Sequence, residues 1–579
     1  MDIAFFAFSN NQQEPLATLQ READELHRYI SERAFRQHFM MLWDPIATRE
    51  KLSYYLSRHR ERIVLFHYSG HAGRDRLVTQ GEESQAEGMA KLLGQCPNLK
   101  LVVLNGCSTR AQVQALLDEG VPAVVATSAP VQDNKATDFS IAFYQALANN
   151  EEPLKQAFDL AEADLKTQTI AQGITVHRGF ELPANNEDQP LWGLFTREDQ
   201  PEVLQWKLPV TIRMTVPADF TPNEQIIESL MRGLKPYSRR VRSLVRDEEE
   251  GEEVDLSDKR MAILNSLPAP IAEQLRRLMV PLAEQHKGYN RVGQPRLEQL
   301  VETATTTIEL LIFTLLAQLW EAMEKQMNIL IGEGVSSQLR LFLKTPPDGT
   351  VHYDSISLLE GIYQLLAPHL SDFHFEELGE LRAKLAGDSD FQDACYYLLA
   401  LRRRLRAGPV PDAEVGYACE RAEQSLALLL ESLGFLARYT LAAVRNISVL
   451  KFKHLQPATY RHSVVRLIKV LGGMDQQLEE REECLDSLSV LLLNEGEDKP
   501  AYLNLTPFVI DKNAFEGLTE TSQIFFFSHL ELNPLRIHYH NVYQRDAPLI
   551  VREGAPFELL TRAFEAFAQR LFQQPLTSL

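Results

Sequence analysis

Hydrophobic residues fall into two kinds of run along the first two hundred or so residues of this chain. Short unbroken runs, such as Ile63-Val64-Leu65-Phe66 and Leu101-Val102-Val103-Leu104, are β-branched or aliphatic throughout. Such runs predict strands buried on both faces of a parallel sheet. Between them, apolar residues recur at every third or fourth position. Leu16, Leu19, Ala23, Leu26 and Ile30 do so within Pro15–Phe35, which predicts an amphipathic helix. The same reading gives strands at Asp2–Phe8, His38–Trp43, Val121–Ser128 and Leu191–Phe195. It gives helices at Ala47–Arg58, Gly88–Leu93, Arg110–Glu119, Ala136–Ala148 and Leu154–Lys166, with Gly120 as a helix stop. The alternating order predicts an α/β domain over residues 1–200, a mostly parallel sheet with helices on both faces.

Beyond it the pattern changes twice. Residues 201–256 predict a strand at Val210–Val216 and then a charged stretch. There Arg239, Arg240, Arg242 and Arg246 run into Asp247-Glu248-Glu249-Glu250-Gly251-Glu252-Glu253, read as a solvated acidic linker. Residues 257–486 read as helical throughout, with Arg296–Leu330 and Glu414–Val449 the longest stretches. Residues 487–579 predict a small α+β module. Its strands are Ser487–Leu493, Tyr502–Asp511, Gln523–His529 and Ile537–Tyr543, and Pro556–Phe572 is a closing helix. No repeat of fixed period is visible.

A formal net charge of −20 and a pI near 5.3 argue against a chain whose main task is gripping phosphate backbones. Five scattered cysteines without a CxxC pair support neither a disulfide framework nor a zinc ribbon. The N-terminus lacks a basic region of the secretory kind. The longest apolar stretch, Ile308–Trp320, carries Glu309, Thr314 and Gln318, so a buried helix is expected there and not a membrane span. These features predict a cytoplasmic protein in a reducing compartment. Neither a P-loop nor a G-x-G-x-x-G stretch occurs, and no cofactor is expected. No metal is expected either, and His529, His538 and His540 read as surface histidines.

Two of the buried runs end in chemistry. One continues His67-Tyr68-Ser69-Gly70-His71-Ala72-Gly73, the other Asn105-Gly106-Cys107-Ser108-Thr109. Open α/β sheets carry their chemistry past the carboxyl ends of strands. His71 and Cys107 lie 36 residues apart, about one strand, crossover and strand. They fit a thiol nucleophile and its base. A helix starting near Thr109 would place its N-terminal field beside the thiol. Gly106 permits a tight turn. The N–H groups of Cys107 and Ala72 are the candidate oxyanion donors. Ser108 and Thr109 read as helix caps, and His67 as a packed histidine below the active edge. The G-x-S-x-G of serine hydrolases is absent.

Residues 1–200 resemble a CHAT domain, a caspase-like cysteine protease of clan CD related to caspases and separase. The matching words are HYSGHAG, LVVLNGCSTR, VPAVVATSAPVQDNKATDFSIAFYQAL, the segment from Pro153 to Ala163, and LWGLF. The resemblance covers about a third of the chain. It implies a caspase-like fold and a His71–Cys107 dyad that cuts a peptide bond through a thioester. It also implies Ser128 and Asp133 as candidates for the substrate pocket, Asp133 as a wall or a loop-fixing residue, against a plain helix-capping role for Asp133. Two positions depart from the pattern. Ala72 stands where glycine follows the histidine, and Ala129-Pro130 stand where separase-like members carry Trp-Asp, so a basic P1 preference does not transfer.

The resemblance implies a regulated endopeptidase of bacterial defence or cell-death systems. Its partners would be a protein substrate and an activating or regulatory partner or ligand, supplied or sensed through the C-terminal region. A non-catalytic scaffold with a degenerate protease domain is the alternative, and a thiol hydrolase of small amides a third.

Overall fold

In the computed structural model the chain forms two compact units. One is Met1–Met214 with Thr350–Asp354, and the other Thr215–Gly349 with Ser355–Leu579. The structure describes residues 2–10, 16–35, 39–73, 76–79, 82–106, 110–127, 132–167, 192–209, 220–279, 288–325, 329–346, 354–368, 377, 379, 381, 383–384, 389–453, 457–467, 474–494, 502–517, 522–543, 547–552, 554 and 557–576. The predicted strand at Val210–Val216 lies outside the described residues.

The N-terminal unit follows the predicted alternation. In chain order it runs β1 (Ile3–Ser9), α1 (Leu19–Phe35), β2 (Met40–Asp44), α2 (Arg49–Arg58) and β3 (Ile63–Gly70). A small antiparallel sheet comes next, β4 (Ala72–Gly73), β5 (Arg76–Thr79) and β6 (Glu82–Gln85). Then follow α3 (Ala86–Gly94), β7 (Leu101–Asn105), α4 (Arg110–Asp118), β8 (Ala123–Thr127), α5 (Asp133–Tyr144), α6 (Leu154–Thr167) and β9 (Trp192–Thr196). The main sheet has the order β2-β1-β3-β7-β8-β9. All its pairs are parallel except β8 with β9.

Both faces of this sheet are covered, which is why its strands read as unbroken apolar runs. Phe6, Phe8, Trp43, Leu65, Val103 and Val125 point to one face and share a core with α1, α5 and α6. Phe139 of α5 stacks on Trp192 with ring centroids 4.5 Å apart, an arrangement worth about 0.5–1.5 kcal/mol beyond burial alone. On the other face Phe5 meets Tyr55 of α2 edge-on. Gly120, at φ +100°, ends α4 as the sequence predicts. The β4–β6 hairpins are additional to the sequence reading. Their strands are two to four residues long and mostly polar, too short for a periodicity to register.

The second unit has a helical middle and a strand-rich C-terminal part. The charged stretch after Arg239 corrects the linker reading. Arg239–Glu249 is a helix, capped by the Ser238 hydroxyl and ended near Gly251 at φ +88°. Its acidic end is held by Lys235 with Glu249, and Lys259 pairs with Glu248. The long helix Gln294–Glu324 fills the core. Among the described residues it is the one helix long and apolar enough to cross a membrane, and 94% of its most apolar window is buried inside the protein.

The strands begin earlier than the pattern predicts. Asp412–Ser432 is helical, but Tyr439–Leu450, Thr459–Leu467 and Met474–Arg481 are strands, so the helical reading of residues 439–481 is corrected. A five-stranded antiparallel sheet contains these three together with Val490–Asn494 and Tyr502–Asn504. A four-stranded sheet contains Val509–Asp511, Ile524–Leu532, Leu535–Asn541 and Leu549–Arg552. The closing helix, Glu558–Phe572, packs Phe564 and Phe567 on Phe508.

Candidate active site

The strands that precede His71 and Cys107 are neighbours. β3 and β7 pair in parallel, and the last partners in their register are Ser69 and Asn105. His71 is the second residue after Ser69, and Cys107 the second after Asn105. The strand order of the main sheet reverses between β1 and β3, at the place where open sheets form a crevice past their strand ends.

Each described residue on this edge is pinned by buried groups. The Tyr68 hydroxyl donates to the carbonyl of His71 at 2.9 Å, and His71 is only 1% exposed. Gly70 has no room for a side chain. A Cβ there would lie 2.6 Å from the Ser9 carbonyl oxygen and 2.8 Å from the Tyr68 hydroxyl. The Thr127 hydroxyl, at the end of β8, donates to the carbonyl of Gly106. Ala72 begins the short strand β4 and pairs with Leu77. Cys107, Ser108, Thr109 and Ser128 lie outside the described residues.

Beneath this edge sits a buried polar network centred on Glu22 of α1, which is 0% exposed. Ser69 Oγ donates to its Oε2 at 2.9 Å, and Asn105 Nδ2 to its Oε1 at 2.6 Å. The same Asn105 nitrogen lies 3.0 Å from the Ala136 carbonyl and 2.7 Å from Ser140 Oγ, which ties β7 to α5. His67 Nε2 is 3.7 Å from Glu22 Oε1, and His67 Nδ1 is 3.1 Å from the Tyr144 hydroxyl. A neutral imidazole with its proton on Nε2 suits both neighbours. Burial, with the Glu22 charge added, pushes the Tyr144 phenol well above its usual range, so it stays a donor. His67 is packed between Phe6 and Phe8.

Asp133 lies at the first position of α5 and reaches back to the start of α1. Its Oδ2 accepts from Thr18 N at 2.9 Å and its carbonyl from Thr18 Oγ1 at 3.1 Å, while Thr18 and Thr137 hydroxyls meet at 2.6 Å. The contacts of this carboxylate are those of a loop-fixing residue. Asp138 pairs with Arg21 at 2.7 Å.

Sequence reasoning missed Glu22 and Tyr68. For Glu22 a signal existed. It follows Leu19 by three residues and precedes Leu26 by four, so it occupies the apolar stripe of α1. A carboxylate in that stripe is buried with partners or the helix does not pack.

His529, His538 and His540 of the second unit do not gather around a common point with carboxylates. The His529 and His538 rings stack at 4.2 Å, His538 Nε2 lies 3.3 Å from Glu531, and His540 Nε2 lies 3.4 Å from Glu309. They are partly buried, which corrects the surface reading. Among the described residues no group of three or more histidines, cysteines and carboxylates is placed to hold a metal ion.

Compared with known proteins, residues 3–197 match the family model of the CHAT domain, about a third of the chain. The match begins and ends with the main sheet, at β1 and β9. No curated protein matches the chain.

Proposed function

From a chain whose residues 3–197 are a CHAT domain, we propose a regulated, caspase-like cysteine endopeptidase in which His71 is the base and Cys107 the nucleophile. One observation carries this reading. β3 and β7 run side by side in the same direction to the Ser69–Asn105 pair, and each chain then needs two more residues to reach its reactive group. Equal spacing from one register pair supports a base and a nucleophile that meet at one edge of the sheet.

In this mechanism Cys107 gives its proton to His71, and Sγ attacks the carbonyl carbon of the scissile bond. The carbonyl oxygen takes up negative charge facing the N–H groups of Ala72 and Cys107. Strand β4 supports the first donor. Its residue Ala72 pairs with Leu77 of β5 in an antiparallel register. His71 then protonates the leaving amine as the C–N bond breaks, leaving an acyl group on Sγ. Water, deprotonated by His71, hydrolyses this thioester and restores the thiol. Ser128 is the candidate left for the substrate pocket, while Asp133 holds the start of α1 through Thr18. A basic P1 preference does not carry over from separase-like members, since Ala129-Pro130 occupy the positions that would read it.

The second unit restrains or directs the protease in response to a partner or ligand, and the substrate is a protein. The setting is the cytoplasm, in a bacterial defence or cell-death system of the kind in which such domains are found. The test is a proteome-wide cleavage map of the wild-type chain against Cys107→Ala, together with labelling by a cysteine-directed acyl-ketone probe. Cleavages and labelling that vanish in the variant are expected. Identical maps and an unlabelled wild-type Cys107 would leave the domain a non-catalytic scaffold.

A further inference from the structure

We propose that Glu22 is a positioning residue for the His71–Cys107 pair, a buried carboxylate that bridges the two strand ends that carry it; this rests on the cysteine-protease reading above. A carboxylate out of water is costly unless its lone pairs are all met. In the apolar stripe of α1 a leucine would pack without that cost. The two oxygens of Glu22 are divided between two strands: Oε2 takes Ser69 of β3 and Oε1 takes Asn105 of β7. Ser69 and Asn105 are the last partners in the β3–β7 register. The backbone ladder stops there, and the carboxylate continues it as a side-chain cross-link, two residues short of each reactive group.

The bridge is itself anchored. Glu22 lies in the first turn of α1, and the start of that helix is fixed to α5 through Thr18 and Asp133. Asn105 is tied to α5 as well, through Ala136 and Ser140. The start of α1, the two strand ends and α5 thus share one set of hydrogen bonds. Glu22 acts through Ser69 and Asn105, by fixing how far apart the two strand ends leave the sheet. A misplacement of about 1 Å between reacting groups costs on the order of a hundredfold in rate.

The test uses the full chain and reads the alkylation rate of Cys107 by iodoacetamide across pH, from the mass spectrum of the Cys107 peptide. This readout needs no substrate. In the wild type, alkylation extends below the ordinary thiol range because His71 holds the thiolate, and His71→Ala removes that limb. Glu22→Ala is expected to lower the low-pH rate about tenfold or more. Glu22→Gln restores it to within about fivefold of wild type. Its amide oxygen accepts from Asn105, and its NH2 donates to the Ser69 hydroxyl, which serves either way. Ser69→Ala, which removes one hydroxyl and keeps the fold, loses about fivefold, and Glu22→Ala adds little on top of it. Wild-type rates in Glu22→Ala and Ser69→Ala would overturn the proposal, as would a Gln variant as defective as Ala. A wild-type profile that is ordinary and indifferent to His71→Ala would overturn the dyad and the positioning role together. An intact dyad profile in every Glu22 variant would overturn the positioning role alone.

Discussion

In the second unit each of three buried carboxylates faces an arginine. Glu423 meets Arg296, Asp511 meets Arg445, and Glu309 meets Arg402. In the N-terminal unit Glu22 is buried as deeply, and its oxygens go to Ser69 and Asn105 at the ends of two strands. The arginine pairs join elements. Arg296 also donates to Asn223 and to the Tyr289 carbonyl, and Glu423 accepts from the Asn223 N–H, so four segments of the second unit meet at one charge pair. Ion pairs of that kind occur in the N-terminal unit too, as with Asp44 and Lys51. What sets Glu22 apart is where its partners lie in the chain: each is two residues from a group proposed to react. Buried charge alone therefore does not mark a site. Under the proposal above, buried charge shared between neighbouring strand ends does.

The hardest test of this contrast is cleavage itself. Cys107→Ala abolishes proteolysis, and His71→Ala is comparably inactive, since nucleophile and base act as a unit. Cys107→Ala is expected to cost about 1 kcal/mol of stability or less, since it removes a single sulfur, and His71→Ala, at a side chain only 1% exposed, is expected to cost more. Peptide-library cleavage and thermal melts check both statements, and cleavage at the wild-type rate in either variant would sink the dyad.

Next in size is the arginine pair. Arg296→Met leaves Glu423 buried without its cation and is expected to cost about 3–5 kcal/mol. Burial already pushes the Glu423 carboxyl above its usual range, against the pull of Arg296. Joining Arg296→Met with Glu423→Leu should recover most of the loss. Urea unfolding of the three variants measures this. A double variant as unstable as the single one would show that the pair does more than satisfy itself, and the contrast with Glu22 would weaken.

A smaller effect belongs to Gly70. An alanine there forces its Cβ against the Ser9 carbonyl and the Tyr68 hydroxyl that holds His71. Overpacking of this kind costs about 1–3 kcal/mol. Gly70→Ala should also slow cleavage more than its stability loss explains, because the displaced backbone carries His71. Cleavage per folded molecule, compared with a variant equally destabilised in the second unit, separates the two effects.

The legible parts of this molecule are those in which one residue type has one physical use. Apolar runs at Ile63 and Leu101 are covered strands as read, whereas Gly70, read as part of a turn, ends strand β3 and is small because Ser9 and Tyr68 crowd it. Glu22 was passed over because helical periodicity counts a carboxylate as polar wherever it falls, even inside the apolar stripe of α1. The segment Tyr439–Leu450 was misread because its apolar run follows a long helix without a proline or a cluster of turn residues. The break is made by tertiary contact at Gly434, where a Cβ would sit 2.0 Å from the Gly233 carbonyl oxygen. A single sequence does not display which glycines are small for the sake of a neighbour far along the chain. Ala72 was singled out by its place after His71, but the short antiparallel sheet that it begins was not foreseen, since strands of two and four residues carry no period.

The last contrast lies within β3. His71 follows its carboxyl end, and His59 precedes its amino end, where its carbonyl accepts from Ile63 N. His59 caps α2 and is 2% exposed. Burial, with Arg58 and Arg62 nearby, lowers its pKa to about 3. Unfolded, it titrates near 6.5. Between those values the unfolded chain holds a proton that the folded chain does not, so stability falls as pH drops through this window and is fully restored above it. At pH 5 the loss is about 2 kcal/mol, from about 1.4 kcal/mol for each of one and a half pH units. Asp44 of the same unit works in the opposite sense, since burial raises its carboxyl, and its share of stability declines as pH rises past the usual carboxylate value. His59→Gln removes the histidine contribution alone. Hydrogen exchange of the β3 amides, corrected for intrinsic rates, should show wild-type protection falling between pH 7 and pH 5 and the variant's protection nearly level. Parallel curves would mean that His59 keeps an ordinary affinity for protons. The amino end of β3 would then share the hydrogen-bonded accommodation of charge that distinguishes its carboxyl end.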